Sequence, residues 1–177
     1  NMIYFSQPFY QTISGSNFSS PTVEEKYRNI DNFTHVVVVA CDLKYFYKYG
    51  LNYLNSFSHN ADKHELLHLH LVNPDVGFMQ QFADWLNLIK IDNFRLTTEQ
   101  IHFGNLPPLM QQTYYSCVRF LHLPQWLNDY QKPIVCTDID AIIEKPLTPL
   151  IAAVNNHDVG LYLYERHKLP WEYIPAG

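Results

Sequence analysis

Four consecutive valines, Val36, Val37, Val38 and Val39, lie between His35 and Ala40. β-Branched side chains are stiff at χ1 and favour extended backbone. A strand with no polar residue on either face must bury both, as parallel strands inside an α/β sheet do. Such a strand obliges the chain to supply covering layers. The sequence after it does so. Asp42 is a candidate helix N-cap, and Phe46, Tyr47, Leu51, Leu54 and Phe57 then recur on one helical face. Gly50 interrupts that run, at a cost of about 1 kcal/mol against Ala. Residues 66–72 read as a second strand, closed by Asn73-Pro74-Asp75, and residues 76–90 as a helix carrying Met79, Phe82, Ala83, Leu86 and Ile89. Phe94-Arg95-Leu96 reads as a third strand, Asn105-Leu106-Pro107-Pro108 as a loop, and residues 111–123 as a helix with Tyr114, Cys117, Val118 and Leu121 inward. Residues 134–137 make a further buried strand, Ile142-Ile143 a short extended piece, 146–155 a helix with Pro149 in its first turn, and 159–163 a last strand. This alternation predicts an α/β fold: a three-layer αβα arrangement around a mostly parallel, Rossmann-like sheet.

The 177 residues suffice for one sizeable core. Residues 1–33 read as an N-terminal arm, with loop-like Ser14-Gly15-Ser16-Asn17 and a short helix from the cap Thr22-Val23-Glu24-Glu25 to about Ile30. Residues 34–177 form the α/β domain, expected to be incomplete at its C-terminus and to belong to a homo-oligomer or a larger parent chain. The formal charge is −5 with no basic run, so no concentrated cationic face exists to grip nucleic acid. Three widely spaced cysteines without a Cys-x-x-Cys suit a reducing, cytoplasmic setting. No apolar run has transmembrane length, and no signal-peptide pattern opens the chain.

Chemistry concentrates at Asp138-Ile139-Asp140, directly after the strand 134–137. Open α/β sheets bind ligands at the C-terminal ends of their strands. Two carboxylates at i and i+2 share one side of an extended segment and repel unless a cation lies between them. A hard divalent ion, Mn²⁺ or Mg²⁺, bridging to phosphate oxygens answers that repulsion. A solvated loop carrying two aspartates is the plain alternative. Ala40-Cys41-Asp42 closes the first strand at the same sheet edge, where Asp42 can meet a base or ribose and Tyr45 can stack; equally, Asp42 can cap and Tyr45 can pack. Arg119 sits beside the apolar stripe of its helix, suited to a phosphate, to an ion pair with a carboxylate such as Asp138, or to both. No Gly-x-Gly-x-x-Gly follows the first strand and no Walker motif occurs, so phosphates would need a metal and side chains. His68 and His70 alternate on one strand face at a spacing that allows a shared metal, although a strand face turned to solvent or to a helix explains them equally well and no Cys or third ligand is near in sequence. No Gly-x-Ser-x-Gly elbow is present.

Tyr114-Tyr115-Ser116-Cys117-Val118-Arg119-Phe120, then Pro133-Ile134-Val135-Cys136-Thr137-Asp138-Ile139-Asp140, then Lys145-Pro146-Leu147 occur in that order. This order resembles the GT-A-fold, glycogenin-like glycosyltransferases, in which a Tyr-x-Arg-Leu helix precedes a strand ending in Asp-x-Asp. The resemblance spans residues 33–177 loosely. It implies metal binding at Asp138 and Asp140, nucleotide contacts at Ala40, Asp42, Tyr45, Arg119 and Asp138, and sugar contacts at Ala176 and Gly177. It further implies a nucleotide-sugar donor, a UDP-sugar foremost, and transfer to a glycan, lipid or protein acceptor. The family's later His-x-x-Gly-x-x-Lys-Pro motif has no counterpart: His167 is followed by Lys168-Leu169-Pro170-Trp171. A non-catalytic domain of the same fold is therefore an alternative. A haloacid-dehalogenase-like phosphatase is another, though its Asp-x-Asp lies early in the chain, on the first strand.

Overall fold

The computed structural model describes residues 23–26, 29–154 and 156–160. Five strands form one sheet in the order β1-β4-β3-β2-β5. β2 (His35–Asp42), β3 (Glu65–Val72), β4 (Phe94–Glu99) and β5 (Ile134–Thr137) are mutually parallel, and β1 (Val23–Lys26) adds antiparallel to β4. The fold is therefore α/β, with the mostly parallel sheet expected. β1 replaces the short helix expected after Thr22. β4 offers an open edge there, and Val23↔Thr97 to Lys26↔Phe94 pairing satisfies the backbone groups that a helix would have satisfied internally.

The valine strand runs at the centre. Val36 to Val39 are fully buried, because odd and even residues face different helical layers. Val37, Val39 and Cys41, with Leu67, Leu69 and Leu71, pack against α1 (Leu51–Asn60) and α2 (Val76–Ile89). Val36, Val38 and Ala40 face α3 (Pro108–Tyr130) through Tyr114, Val118, Trp126 and Tyr130. These are the three layers. α3 is far longer than the 111–123 expected and continues through Pro124. The missing proline N–H deprives the Phe120 carbonyl of its partner, but Phe120 is exposed and water can replace the bond. Trp126 and Tyr130 are buried against the sheet, and that burial holds the last turns helical.

The start of the first helix also departs from the simple 3.6 pattern. After the single turn Leu43–Tyr45, residues Phe46–Gly50 form a π-helical turn before α1. The wider turn leaves Tyr47, expected inward, exposed within it and rotates the helix beyond, so Leu51, also expected inward, is exposed and Tyr53 is buried instead. Gly50 is a requirement rather than a flaw: a Cβ there would lie 2.6 Å from the Phe46 ring. Phe46 in turn meets Phe78, Phe82 and Trp85 with ring centroids 5.0, 5.6 and 5.9 Å away.

β5 is half-buried at all four positions, not fully buried as its Ile-Val-Cys run suggests, since among the described residues it borders only β2. Ile142-Ile143 is irregular rather than extended. Ile143 sits in the core with Ile139, and its N–H donates to Ser56 Oγ at 3.0 Å. α4 (Thr148–Val154) starts later than residue 146, where the buried Glu65 carboxylate accepts from the Leu147 and Thr148 amides. Val159 and Gly160 lie in no strand; the remainder of the strand expected there, His167 and its neighbours, Ala176 and Gly177 lie outside the described residues.

Candidate functional site

The chain passes outward from β2 to β3 to β4, then returns along α3 to β5 on the far side of β2. The strand order thus reverses between β2 and β5, and crevices for ligands form outside the C-terminal ends of strands at such a point. Val39 pairs with Thr137, so Ala40 stands level with Asp138, and Asp42 two residues further on. The sheet edge expected to gather Asp42 and Asp138 does so.

Asp138-Ile139-Asp140 is a tight turn rather than an extended segment, with the Ala141 N–H donating to the Asp138 carbonyl at 3.1 Å. Ile139 is buried in the core shared with α1 and α2 and pins this turn. The turn gives the two carboxylates different partners. Asp138 Oδ1 receives the Arg119 Nη1 at 2.6 Å, a charge-assisted bond from a guanidinium that is almost wholly buried on α3. Asp140 is exposed and within electrostatic reach of Lys48, whose pKa is raised first by Tyr49 and least by Asp140. Arg119 thus offsets part of the charge the two aspartates bring, through the ion pair with Asp138 that the sequence allowed.

Asp42 Oδ1 accepts from the Tyr45 amide at 2.8 Å, so it caps the following helical turn. Tyr45 is half exposed, its ring centroid 6.0 Å from that of Tyr49. Tyr53, fully buried, reaches the same edge from below and shares a 2.6 Å hydrogen bond with Thr137 Oγ1. Its phenol is held protonated by burial first, with the Asp138 charge adding to that. Tyr115 borders the edge on α3: burial and then the Asp42 carboxylate push its pKa up.

A second polar assembly lies beneath α3, where the even residues of β3 and the odd residues of β4 face the helix. His68 and His70 are both buried there, not on a solvent face, and they bond the same Thr97 Oγ1 at 2.7 Å each. His68 Nδ1 meets Tyr130 Oη at 3.0 Å. Glu99, at the end of β4, accepts from Tyr114 Oη at 2.7 Å and meets His122 Nε2 at 3.0 Å and His70 Nε2 at 3.7 Å. Burial alone would raise the Glu99 pKa, but His122, the nearby His70 and Tyr114 together outweigh it and bring it down to about 2. Burial drives the pKa of His68 well below the ordinary histidine value and lowers that of His70, so both rings are neutral near pH 7. The Thr97 hydroxyl bridges His68 and His70, and the group of possible ligands found among the described residues joins His70 to Glu99 and His122 instead.

Glu99, His122 and Tyr114 escape a reading of the sequence. Their signal is faint: polar residues at every second position of two neighbouring strands, and a histidine one helical turn after Arg119. Only strand pairing brings these together. Cys41, Cys117 and Cys136 are free thiols whose pKa values are raised by burial first, so none is an activated nucleophile. Among the described residues no helix is long and apolar enough to cross a membrane. No family model, curated protein or solved structure matches the chain.

Proposed function

We propose that this chain is the nucleotide-sugar-binding part of a metal-dependent glycosyltransferase. The observation that carries the reading is the Arg119–Asp138 ion pair, held on a pinned turn beside the point where strand order reverses. Around it lie Ala40, Asp42 and Tyr45 at the end of β2, an edge with one capping carboxylate and one exposed ring. In this reading Ala40, Asp42 and Tyr45 meet the nucleoside, Arg119 and Asp138 the diphosphate, and Ala176 and Gly177 the sugar, a UDP-sugar foremost.

Mn²⁺ or Mg²⁺ fits the donor chemistry of Asp138 and Asp140 in a limited way. Both offer hard carboxylate oxygens, yet Asp138 Oδ1 is committed to Arg119, and among the described residues no third His, Cys, Asp or Glu completes a cluster with them. That set suits an ion which keeps waters and shares substrate phosphates rather than one caged by protein. When bound, the ion supplies positive charge to the departing nucleoside diphosphate. The chain's own contribution is Arg119, whose buried stem and fixed guanidinium orient and neutralise a phosphate oxygen without reorganising.

The test is a thermal-shift titration with UDP, with and without Mn²⁺. A ligand at 100 times its Kd stabilises by about 2.7 kcal/mol. The expected result is a shift of several degrees that needs Mn²⁺ and is absent from the Asp138→Asn/Asp140→Asn variant. Absence of a shift with every nucleoside diphosphate overturns the reading. Binding without sugar transfer by the full-length protein points to a non-catalytic domain of this fold. Hydrolysis of a generic aryl phosphate that is lost in Asp138→Asn points to the phosphatase.

A further inference from the structure

We propose that His70, Glu99 and His122 form a binding site for a divalent transition metal of the zinc class, separate from the carboxylates of the Asp138 turn. One ligand atom from each of the three lies within 4.8 Å of the others. The two imidazoles address different oxygens of one carboxylate: His122 Nε2 faces Oε2 and His70 Nε2 faces Oε1. The independent sign of a ligand is His70 Nε2. It belongs to a ring only 2 % exposed, has no hydrogen-bond partner, and points towards Glu99 from beyond bonding distance. A buried ring nitrogen without a partner is costly, and a metal on its lone pair removes the cost.

The surroundings fit ligation. Thr97 Oγ1 lies on His70 Nδ1 and Tyr114 donates to Glu99, so two of the three ligands are already oriented by outer bonds. His70 and Glu99 are fixed on neighbouring strands, whereas His122 is partly exposed on α3. Ligand atoms around zinc stand roughly 3.3 Å apart for bonds of about 2.0–2.2 Å. Closing a 4.8 Å separation to that size takes a movement of about 1.5 Å, which the partly exposed His122 can supply. Two imidazoles and one carboxylate select Zn²⁺ and its neighbours over Mg²⁺ or Ca²⁺, and three protein ligands leave a fourth position for water.

Ligation has a consequence along the buried row. Without metal, neutral His70 points Nε2–H towards the Glu99 carboxylate from 3.7 Å, too far for a hydrogen bond, and Nδ1 accepts from the Thr97 hydroxyl. Thr97 then accepts from His68 Nε2–H, and His68 Nδ1 accepts from the Tyr130 hydroxyl. With metal on His70 Nε2, its proton moves to Nδ1 and donates to Thr97. Every later bond reverses, and His68 becomes the Nδ1–H tautomer. Metal binding at one end of the row is thus readable at the other.

Calorimetric titration of the metal-stripped protein with Zn²⁺, paired with ¹⁵N NMR of the histidine rings, tests this. One equivalent is expected to bind, with both His68 and His70 changing tautomer. His122→Ala, at a partly exposed position, is expected to stay folded and weaken binding by at least tenfold, whereas His59→Ala, at an exposed position of α1, leaves it unchanged. Failure to bind Zn²⁺, equal affinity in His122→Ala, or an unchanged His68 tautomer at saturation each overturns the proposal. Asp138→Asn/Asp140→Asn is expected to keep this Zn²⁺ equivalent, so the result stands apart from that of the nucleotide titration.

Discussion

The two faces of the sheet are built on opposite principles. Towards α1 and α2, β3 and β4 present Leu67, Leu69, Leu71, Phe94 and Leu96, which close on Phe46, Phe78 and Phe82, while the buried polar groups of this side, Glu65 with His35 at 3.6 Å and Thr98, keep to the strand ends. Towards α3, the same two strands present His68, His70, Arg95, Thr97 and Glu99. The first face gains from dispersion and exclusion of water. The second buries groups that cost free energy unless each finds a partner, and they form a row from Tyr130 to His122 that is hydrogen-bonded except across the 3.7 Å between His70 and Glu99. The lesson is a division of labour: one face secures the strands, so the other can hold titratable groups in fixed positions.

The sharpest break of this comparison is Phe46→Ala. Emptying the centre of the aromatic cluster is expected to cost about 3–5 kcal/mol in urea denaturation. A loss below about 1 kcal/mol would mean that the dry face does not carry the fold. Gly50→Ala comes next, at about 1–3 kcal/mol, because its methyl group must displace the Phe46 ring. Pairing it with Phe46→Leu is expected to recover part of the loss, which a mere backbone effect would not allow.

The polar face is tested by acid. His68 and His70 have folded pKa values below their unfolded value of 6.5. Their contribution is therefore complete above that pH and is lost as pH falls through it. A histidine that stays neutral in the folded state costs about 1.4 kcal/mol by about pH 5.5. Glu99, lowered to about 2 from 4.5, adds a further loss only below pH 4.5. Metal-free protein is thus expected to weaken in two stages, and His68→Gln to flatten the first. A stability that is level from pH 7.5 to 5 would show these rings to be protonated or solvated, and the contrast between the faces would fail.

Much of the fold is legible in residue order. The four valines demand a doubly covered strand, and Asp42 and Asp75 announce the helices they cap. Asp138 and Arg119 stand out because both carry charge beside apolar runs. The π turn at Phe46–Gly50 is not legible, since a period of 3.6 assigns Tyr47 and Leu51 inward and cannot foresee that the Phe46 ring claims the space above Gly50. β1 is not legible either: Val23-Glu24-Glu25 is a fair helix start until β4 offers an unpaired edge.

Local chemistry, then, was settled by sequence: which central segments must be buried, that Asp42 caps the first helical turn, and which turn holds two carboxylates at a strand end. Those follow from side-chain shape and from backbone groups satisfied within a few residues. Tertiary structure alone decided which groups meet. Asp138 meets an arginine 19 positions earlier at 2.6 Å, and His70 finds Glu99 and His122 through strand register and the crossing of α3. Such meetings depend on which strands lie side by side, and the free energy that selects their order is spread over the whole core instead of being written at the residues it brings together.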